Sequence, residues 1–200
     1  MVDKVSSTKI IPVDAPDAAT LVLQTLAVPG SVVMLPTETV YALVAVYGDQ
    51  AAAERIFALK RRPENRKLGC FAPGVDALKG VELPEKAKIL AEKYWPGAMT
   101  LILPYGNGDS LGVRIPDHKL LLEILRRSGK LLVQTSANIS GAPDARDCRA
   151  ALEMLDGAVD LAVDGGALPE NAKGSTIVDF RDGTPKLLRQ GNLNIEVEKL

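Results

Sequence analysis

Cysteine and histidine are scarce in this sequence of 200 residues, which contains two cysteines and one histidine. Cys70 and Cys148 stand far apart without a CxxC spacing, which argues against both a disulfide framework and a zinc site. His118 is the single histidine, and a lone histidine beside a helix start is more often a cap or surface residue than a base. Serine–histidine–aspartate chemistry and metal-dependent hydrolysis are therefore poor candidates.

Long apolar runs and a strong net charge are also missing. No uninterrupted apolar run approaches the roughly 18 residues needed to span a bilayer, and the N-terminus lacks an apolar segment of signal-peptide length. These absences predict a cytoplasmic protein without a membrane contact. The net charge of −1 argues against a protein that coats nucleic acid, so any such contact would be local. The chain also lacks the GxxxxGK[ST], GxGxxG and GxSxG motifs.

Strands and helices mix along the chain without strict alternation, which predicts an α/β protein with a mixed, twisted sheet. No linker, repeat or low-complexity tract divides it, so we expect a single domain over residues 1–200. A helix is expected to begin near Asp49 and another to be capped by Asp117 and ended by Gly129. Strands are predicted at 10–13, 31–35, 68–72, 99–103, 111–115, 131–135, 159–163, 176–180 and 186–188, and further helices at 17–27, after Pro84 and at 145–155.

A cluster of cations follows the helix that begins near Asp49. It comprises Lys60, Arg61, Arg62, Arg66 and Lys67. Because Pro63 stops the helix, the last cations lie on a loop, where the helix dipole no longer explains them. A buried strand, a hydroxyl-rich turn at 37–39 and this cationic loop together predict a phosphate site; the alternative is a solvated charge run.

Other polar residues stand at strand ends or inside strands. Residues 134–141 carry three hydroxyls and an amide before a glycine, a pattern that also fits an ordinary turn. Arg114 lies inside an apolar strand, where a charge needs either a salt bridge, the commoner cause, or an anionic ligand. Arg189 poses the same question after the last strand.

Seven short motifs follow one another along the chain: PTETVY (36–41), KRRP (60–63), WPG (95–97), VRIP (113–116), TSANISG (135–141), GST (174–176) and RQG (189–191). In this order they resemble the YrdC-type threonylcarbamoyl-AMP synthases, in their short, single-domain form, over about residues 10–192. The resemblance implies an open, mixed sheet with a concave ligand cleft. It also implies a nucleotidyltransferase that joins L-threonine, bicarbonate and ATP, with Mg²⁺, into threonylcarbamoyl-AMP and pyrophosphate.

The resemblance further implies that partner proteins transfer the threonylcarbamoyl group to the adenosine next to the anticodon of tRNA, at position 37. Contact with tRNA or double-stranded RNA is a further implied property. Site residues carried over from the motifs fall into groups. Lys60 and Arg62 would act in catalysis by holding the phosphates of ATP. The remaining ATP contacts would be Lys67, Ser110, Ser136, Asn138 and Arg189, the threonine contacts Thr39, Arg114 and Ser175, and the pocket wall Thr37 and Tyr41.

This reaction needs no protein nucleophile, because the threonine amine and then the carbamate oxygen are the attacking groups. It needs side chains that stabilise the negative charge developing on the phosphate in the transition state. We expect no metal ligand from the protein, with Mg²⁺ arriving on ATP. Lys60 and Arg62 are expected to be partly exposed, so that their replacement would leave the fold intact. Ala42 replaces a glycine common in the family and would narrow the site if it faced ligand, and Phe71 stands where some members have a histidine near threonine.

Two alternatives stay open: a non-catalytic RNA-binding or ribosome-associated paralogue, and a carbamoyl-transfer domain for another amine.

Overall fold

A computed structural model describes residues 8–64, 67–106 and 108–197. Its strands are β1 Lys9–Pro12, β2 Val33–Leu35, β3 Ala42–Val46, β4 Gly69–Phe71, β5 Met99–Tyr105, β6 Asp109–Arg114, β7 Leu132–Ser136, β8 Leu161–Asp164, β9 Thr176–Asp179 and β10 Lys186–Arg189. Its helices are α1 Ala18–Leu26, α2 Gln50–Lys60, α3 Glu85–Tyr94, α4 Lys119–Ser128 and α5 Cys148–Met154.

The strands form one ten-stranded sheet in the order β1-β8-β2-β3-β7-β4-β6-β5-β9-β10. Strand β8 runs parallel to β1 and β2, while β3 runs antiparallel to its neighbours β2 and β7. Parallel pairs β4–β6 and β5–β9 continue the mixture toward the other edge. The predicted α/β class with an open, mixed sheet is confirmed.

Side chains that alternate along the inner strands fall into two hydrophobic clusters, one on each face of the sheet. On the first face, Ile56 of α2, Leu90 of α3 and Leu152 of α5 pack over the strands. On the second face, Val22 of α1 and Ile124 of α4 pack over the strands nearer β1. Helices α1 and α4 therefore cover the second face at one end of the sheet.

The second face of the sheet changes from apolar to polar along β7. Leu132 belongs to the cluster beneath α1 and α4, whereas Gln134 and Ser136 line a cavity. Across the sheet, Gly69 of β4 pairs with Gln134 and also lines that cavity. The candidate site is therefore the part of the second face that lies beside the α1–α4 layer.

Local differences from the sequence-based expectations have clear causes. Strand β3 was not expected, because its five residues, ALVAV, lack a period of two. Asp49 caps α2 and Gly129 ends α4 in a left-handed conformation, as expected. The predicted cap Asp117 is wrong: the N-cap is His118, whose Nδ1 accepts from Leu121 N at 3.5 Å. Burial lowers the pKa of His118, which suits this acceptor role.

Within the described ranges, no helix has the length and apolar composition that a membrane crossing requires.

Candidate functional site

A cavity of about 510 Å³ opens on the second face of the sheet. Its floor comes from residues of five neighbouring strands, from β7 to β9. Its rim comes from loops before and after these strands and from Arg189 of β10. Eight of the predicted site residues line it: Thr39, Arg62, Lys67, Ser110, Arg114, Ser136, Ser175 and Arg189. The structure thus gathers residues from six of the seven motifs around one space.

Five cations line this cavity, Arg62, Lys67, Arg114, Arg181 and Arg189, against a single lining carboxylate, Asp144. Two of the cations have a carboxylate partner, which is the exposed Asp109 in one case and the buried Asp179 in the other. Lys67 pairs with Asp109, which lowers the pKa of the Asp109 carboxyl, and Arg181 Nη2 lies 2.6 Å from Asp179 Oδ2. Because an exposed pair such as Lys67–Asp109 contributes little, an entering anion can exchange with Asp109.

Arg114 is held differently, since its side chain is buried at the end of β6. Its Nη1 donates to Thr39 Oγ1 at 2.9 Å and its Nε to the Gly97 carbonyl at 3.1 Å. Its Nη2 lies 2.7 Å from Glu38 Oε1, a salt bridge without good hydrogen-bond geometry. Glu38 therefore provides the partner that a buried charge in this strand requires. N–H groups of Arg114 that donate to no described acceptor, such as those of Nη2, remain for a ligand.

Two neighbours explain the orientation of Arg114. The ring of Phe71, beside Arg114 in the parallel β4–β6 pair, has its centroid 5.5 Å from the guanidinium carbon. The carbonyl of Gly97, in the WPG motif, accepts from Arg114 Nε, and Gly97 N donates to the Ile115 carbonyl. Phe71 thus supports the arginine by a cation–π contact.

Lys60 does not match its expected exposure. It is 1% exposed, and its ammonium donates to the Ser136 carbonyl at 2.5 Å, the Asn138 carbonyl at 2.7 Å and Asn138 Oδ1 at 3.0 Å. It does not line the cavity, whereas Arg62 does and is partly exposed, as expected. The expectation failed because cations that follow one another at a helix end look alike in sequence although one of them points inward.

The loop after β7 is shaped by Lys60. Ser136 Oγ donates to Asn138 Oδ1 at 2.7 Å, and Asn138 Nδ2 donates to the Ala142 carbonyl at 2.6 Å. Ser136 lines the cavity, while Asn138 is buried behind it. The amide of Asn138 therefore connects Lys60 to Ser136.

At the opposite wall, Arg189 and Ser175 form one unit. Arg189 Nε donates to the Ser175 carbonyl at 3.0 Å, and Ser175 Oγ lies 2.7 Å from Thr100 Oγ1. A Cβ on Gly174 would lie 2.9 Å from Arg189 Nη2, so the absence of a side chain there lets the guanidinium approach. Burial lowers the pKa of Arg189, and the negative charge of Asp144 opposes this shift.

Thr37 and Tyr41, predicted for the pocket wall, lie behind the cavity lining. Thr37 Oγ1 contacts Thr39 Oγ1 at 2.8 Å and accepts from the Val40 amide at 3.1 Å, which shapes the turn. The Tyr41 hydroxyl donates to the Gly166 carbonyl at 2.8 Å, and burial raises its pKa. Both residues thus act on the backbone around the site.

The two departures from the family pattern do not narrow the cavity. Ala42 lies in β3 within the cluster under α1 and α4, and Phe71 belongs to the same cluster. The methyl group of Ala42 therefore faces packed side chains rather than the cavity. Arg66, another expected loop cation, lies outside the described residues.

Several lining or supporting residues were missed by sequence reasoning: Glu38, Thr100, Gln134, Asp144 and Arg181. Glu38 stands inside the PTETVY motif, so its position beside the hydroxyls was a usable signal. Thr100 and Gln134 follow from strand alternation once the cavity face is known. Asp144 and Arg181 lie in loops, and nothing in their local sequence marks them.

The fold and the site define an α/β protein with a polar, cation-rich cleft that suits an anionic ligand. The chain belongs to the Sua5–YciO–YrdC family, whose model, described as "Telomere recombination", matches residues 26–191.

The threonylcarbamoyl-AMP synthase of Pyrococcus abyssi is 36% identical over 183 residues, which cover 86% of this chain and 54% of that protein. The structure of P. abyssi Sua5 complexed with L-threonine matches with a TM-score of 0.82 and 33% identity, over 93% of this chain and 58% of that one. Escherichia coli YciO, 24% identical, shares the fold with a TM-score of 0.81, over 95% of this chain and 98% of its own. The chain spans about half the length of the first curated relatives it matches.

Proposed function

We propose that this protein is a threonylcarbamoyl-AMP synthase, a nucleotidyltransferase that uses L-threonine, bicarbonate and MgATP and releases pyrophosphate. One observation carries the proposal: residues from six separate motifs line one cavity, which has four lining cations besides Arg114. The P. abyssi synthase and the threonine complex of P. abyssi Sua5 support the choice of substrates.

The amino acid would lie at the Arg114 end of the cavity. Thr39 and Ser175, whose hydroxyls line the cavity, would contact threonine, and Arg114 would bind its carboxylate through the N–H groups left beyond Thr39 and Gly97. A guanidinium fixed on several sides holds a carboxylate in one orientation, which directs the amine.

The triphosphate would lie among Arg62, Lys67 and Arg189, with Ser110 and Ser136 on the walls. Lys60, expected as a catalytic phosphate contact, is better suited to positioning Ser136 and Asn138, because all three of its described acceptors belong to that loop. Asn138 would act with it from behind the lining.

The chemistry requires two bond-forming steps. The threonine amine attacks the carbon of bicarbonate and water leaves, giving a carbamate; a carbamate oxygen then attacks the α-phosphorus of ATP and pyrophosphate leaves. The cations stabilise the charge that develops on the phosphate oxygens, and the walls keep the two reactants aligned. No side chain needs to form a covalent bond.

Magnesium would enter with ATP as part of the substrate. Mg²⁺ is usually held by one or two carboxylates together with substrate phosphates and water. Asp144 is the one carboxylate among the lining residues, and the described part of the chain has no cluster of three metal-ligating side chains. This donor set fits a metal held mainly by the nucleotide.

The product would pass to proteins that modify tRNA, and the exposed cations near Lys67 would be the surface for a tRNA or double-stranded RNA contact.

The test is pyrophosphate release from MgATP measured with threonine, bicarbonate or both omitted. Release that requires both supports the synthase. Release with another amine would indicate the carbamoyl-transfer alternative, and RNA binding without any release would indicate the non-catalytic paralogue.

A further inference from the structure

The charge of Arg114 is balanced from behind the cavity. Arg114 is 3% exposed, and its Nη2 lies 2.7 Å from Glu38 Oε1. The Glu38 side chain is 20% exposed and does not belong to the lining. A ligand at this end therefore contacts Arg114 directly and interacts electrostatically with the Glu38 carboxylate behind it.

Glu38 is fixed in this position by a second contact, since Oε1 also accepts from the Asp117 amide at 2.9 Å. Its other oxygen, Oε2, is buried and has no hydrogen-bond partner among the described residues. Arg114 and the Asp117 amide thus lie against the same oxygen of Glu38. Arg114 is the most buried cation among the ion pairs at the cavity.

The other ion pairs at the cavity have exposed cations. Lys67 and Asp109 are both more than half exposed, and Arg181 is 55% exposed beside the buried Asp179. Arg189 hydrogen-bonds to oxygens of Ser175, and the charge of Asp144 acts on it. The Arg114 end of the cavity is therefore near electrical neutrality through a directly contacting carboxylate, whereas the other four lining cations stand with Asp109, Asp144 and Asp179.

We propose that Glu38 is a specificity-determining residue that reserves the Arg114 end for a zwitterionic amino acid and keeps phosphate groups away from it. This inference rests on the proposed function, because it assigns the two ends of that site to its two substrates. Without Glu38, the most buried cation of the cavity would attract ATP or pyrophosphate into the amino-acid position.

The physical reason is the difference in net charge between the two ligands. The carboxylate of a zwitterion is repelled by Glu38 while its ammonium group is attracted, so the two effects largely cancel. Every charge of a pyrophosphate is repelled. At a separation of several ångström near a protein surface, one such repulsion weakens binding by about tenfold or more. Charge, rather than shape alone, would then separate the substrates.

The experiment is calorimetric titration of sodium pyrophosphate, and then of L-threonine at saturating pyrophosphate, into wild-type protein and three variants. Glu38→Gln removes the charge at constant size and keeps an acceptor for the Asp117 amide. Glu38→Asp keeps the charge. Asp109→Asn is the matched control, because it removes the partner of a phosphate-end cation, Lys67.

We expect wild-type protein to bind threonine equally well with and without pyrophosphate. Glu38→Gln should bind pyrophosphate about tenfold more tightly and, once it is saturated, bind threonine about tenfold more weakly. Glu38→Asp should behave like the wild type. Asp109→Asn should bind pyrophosphate more tightly without any effect on threonine.

Independent binding of the two ligands to Glu38→Gln would overturn the proposal, as would the same competition in Glu38→Asp, which would indicate packing rather than charge. Competition in the wild-type protein would overturn it whatever the variants do. If wild-type protein bound no threonine, the proposed function would fail instead. The gain in pyrophosphate affinity of Glu38→Gln, and its loss on adding Arg114→Gln, would still decide the role of Glu38.

Discussion

The ammonium of Lys60 lies 2.5 Å from the carbonyl oxygen of Ser136, on the buried side of the loop that follows β7. Helix α2 ends at Lys60, and the Ser140 amide donates to the Lys60 carbonyl at 2.8 Å. Main chain and side chain of one residue thus hold the same loop. This arrangement makes the end of α2 the support of one cavity wall.

Replacement of Lys60 is therefore expected to reduce stability as well as activity. Lys60→Met keeps the volume but removes one donor from three oxygens, and it leaves the Asn138 carbonyl without the donor described for it. The variant should lower the free energy of unfolding by about 2 kcal/mol. Urea denaturation measures this, with the exposed Lys130→Met as the control. Unchanged stability in Lys60→Met would show that the contacts are not energetically important.

The same lysine predicts a pH dependence of stability. Burial first, and then the charge of Arg62, lower the pKa of Lys60 from 10.5 to about 8. Between these pH values the unfolded chain binds a proton that the folded protein does not, so the free energy of unfolding rises with pH. The rise should amount to no more than about 3 kcal/mol. It should be absent from Lys60→Met, and parallel pH profiles of the two proteins would contradict the assigned burial.

Arg114 and Arg62 should affect different substrates. Arg114→Lys keeps a charge for Glu38 but loses the planar fork, so the threonine KM should rise about 10- to 100-fold with a smaller effect on ATP. Arg62→Ala should show the reverse pattern, because Arg62 lines the cavity and is proposed to contact the triphosphate. Steady-state kinetics with each substrate varied in turn measures both. Equal effects on the two substrates in Arg114→Lys would count against the carboxylate contact.

Gly191 should not tolerate a side chain. A Cβ there would overlap the Gly174 carbonyl oxygen and lie 2.5 Å from the Ser175 carbonyl carbon, so Gly191→Ala should displace the Arg189–Ser175 unit. We expect a loss of about 2 kcal/mol in stability together with weaker ATP binding. Gly74→Ala is the control, since nothing lies within 4 Å of a Cβ there. Thermal unfolding and nucleotide titration should separate the two variants clearly.

Sequence patterns predicted the fold class and most elements because turn residues and helix caps act locally. Asp49 and Gly129 are such cases. Strand β3 was missed because it is buried on both faces, and an unbroken apolar run carries no period. The order of the ten strands could not be derived, since neighbours such as β3 and β7 are distant in sequence.

The candidate site, like the fold, has features that local sequence predicts and features that depend on distant contacts. Motif order predicted eight of the lining residues, including Arg114 and Arg189, but it also predicted Lys60, Asn138, Thr37 and Tyr41, which do not belong to the lining. The inward turn of Lys60 and the pairing of Arg114 with Glu38 depend on contacts between residues 76 or more positions apart. Such contacts are decided by the packed sheet rather than by local sequence.

The most direct test of the central claim is the fate of bicarbonate carbon. The protein is incubated with MgATP, L-threonine and ¹³C-bicarbonate, and the nucleotides are analysed by mass spectrometry. The account predicts threonylcarbamoyl-AMP heavier by one ¹³C atom, formed in step with pyrophosphate and absent when threonine is omitted. ATP turnover without a ¹³C-labelled adenylate, or no turnover by folded protein, would contradict it.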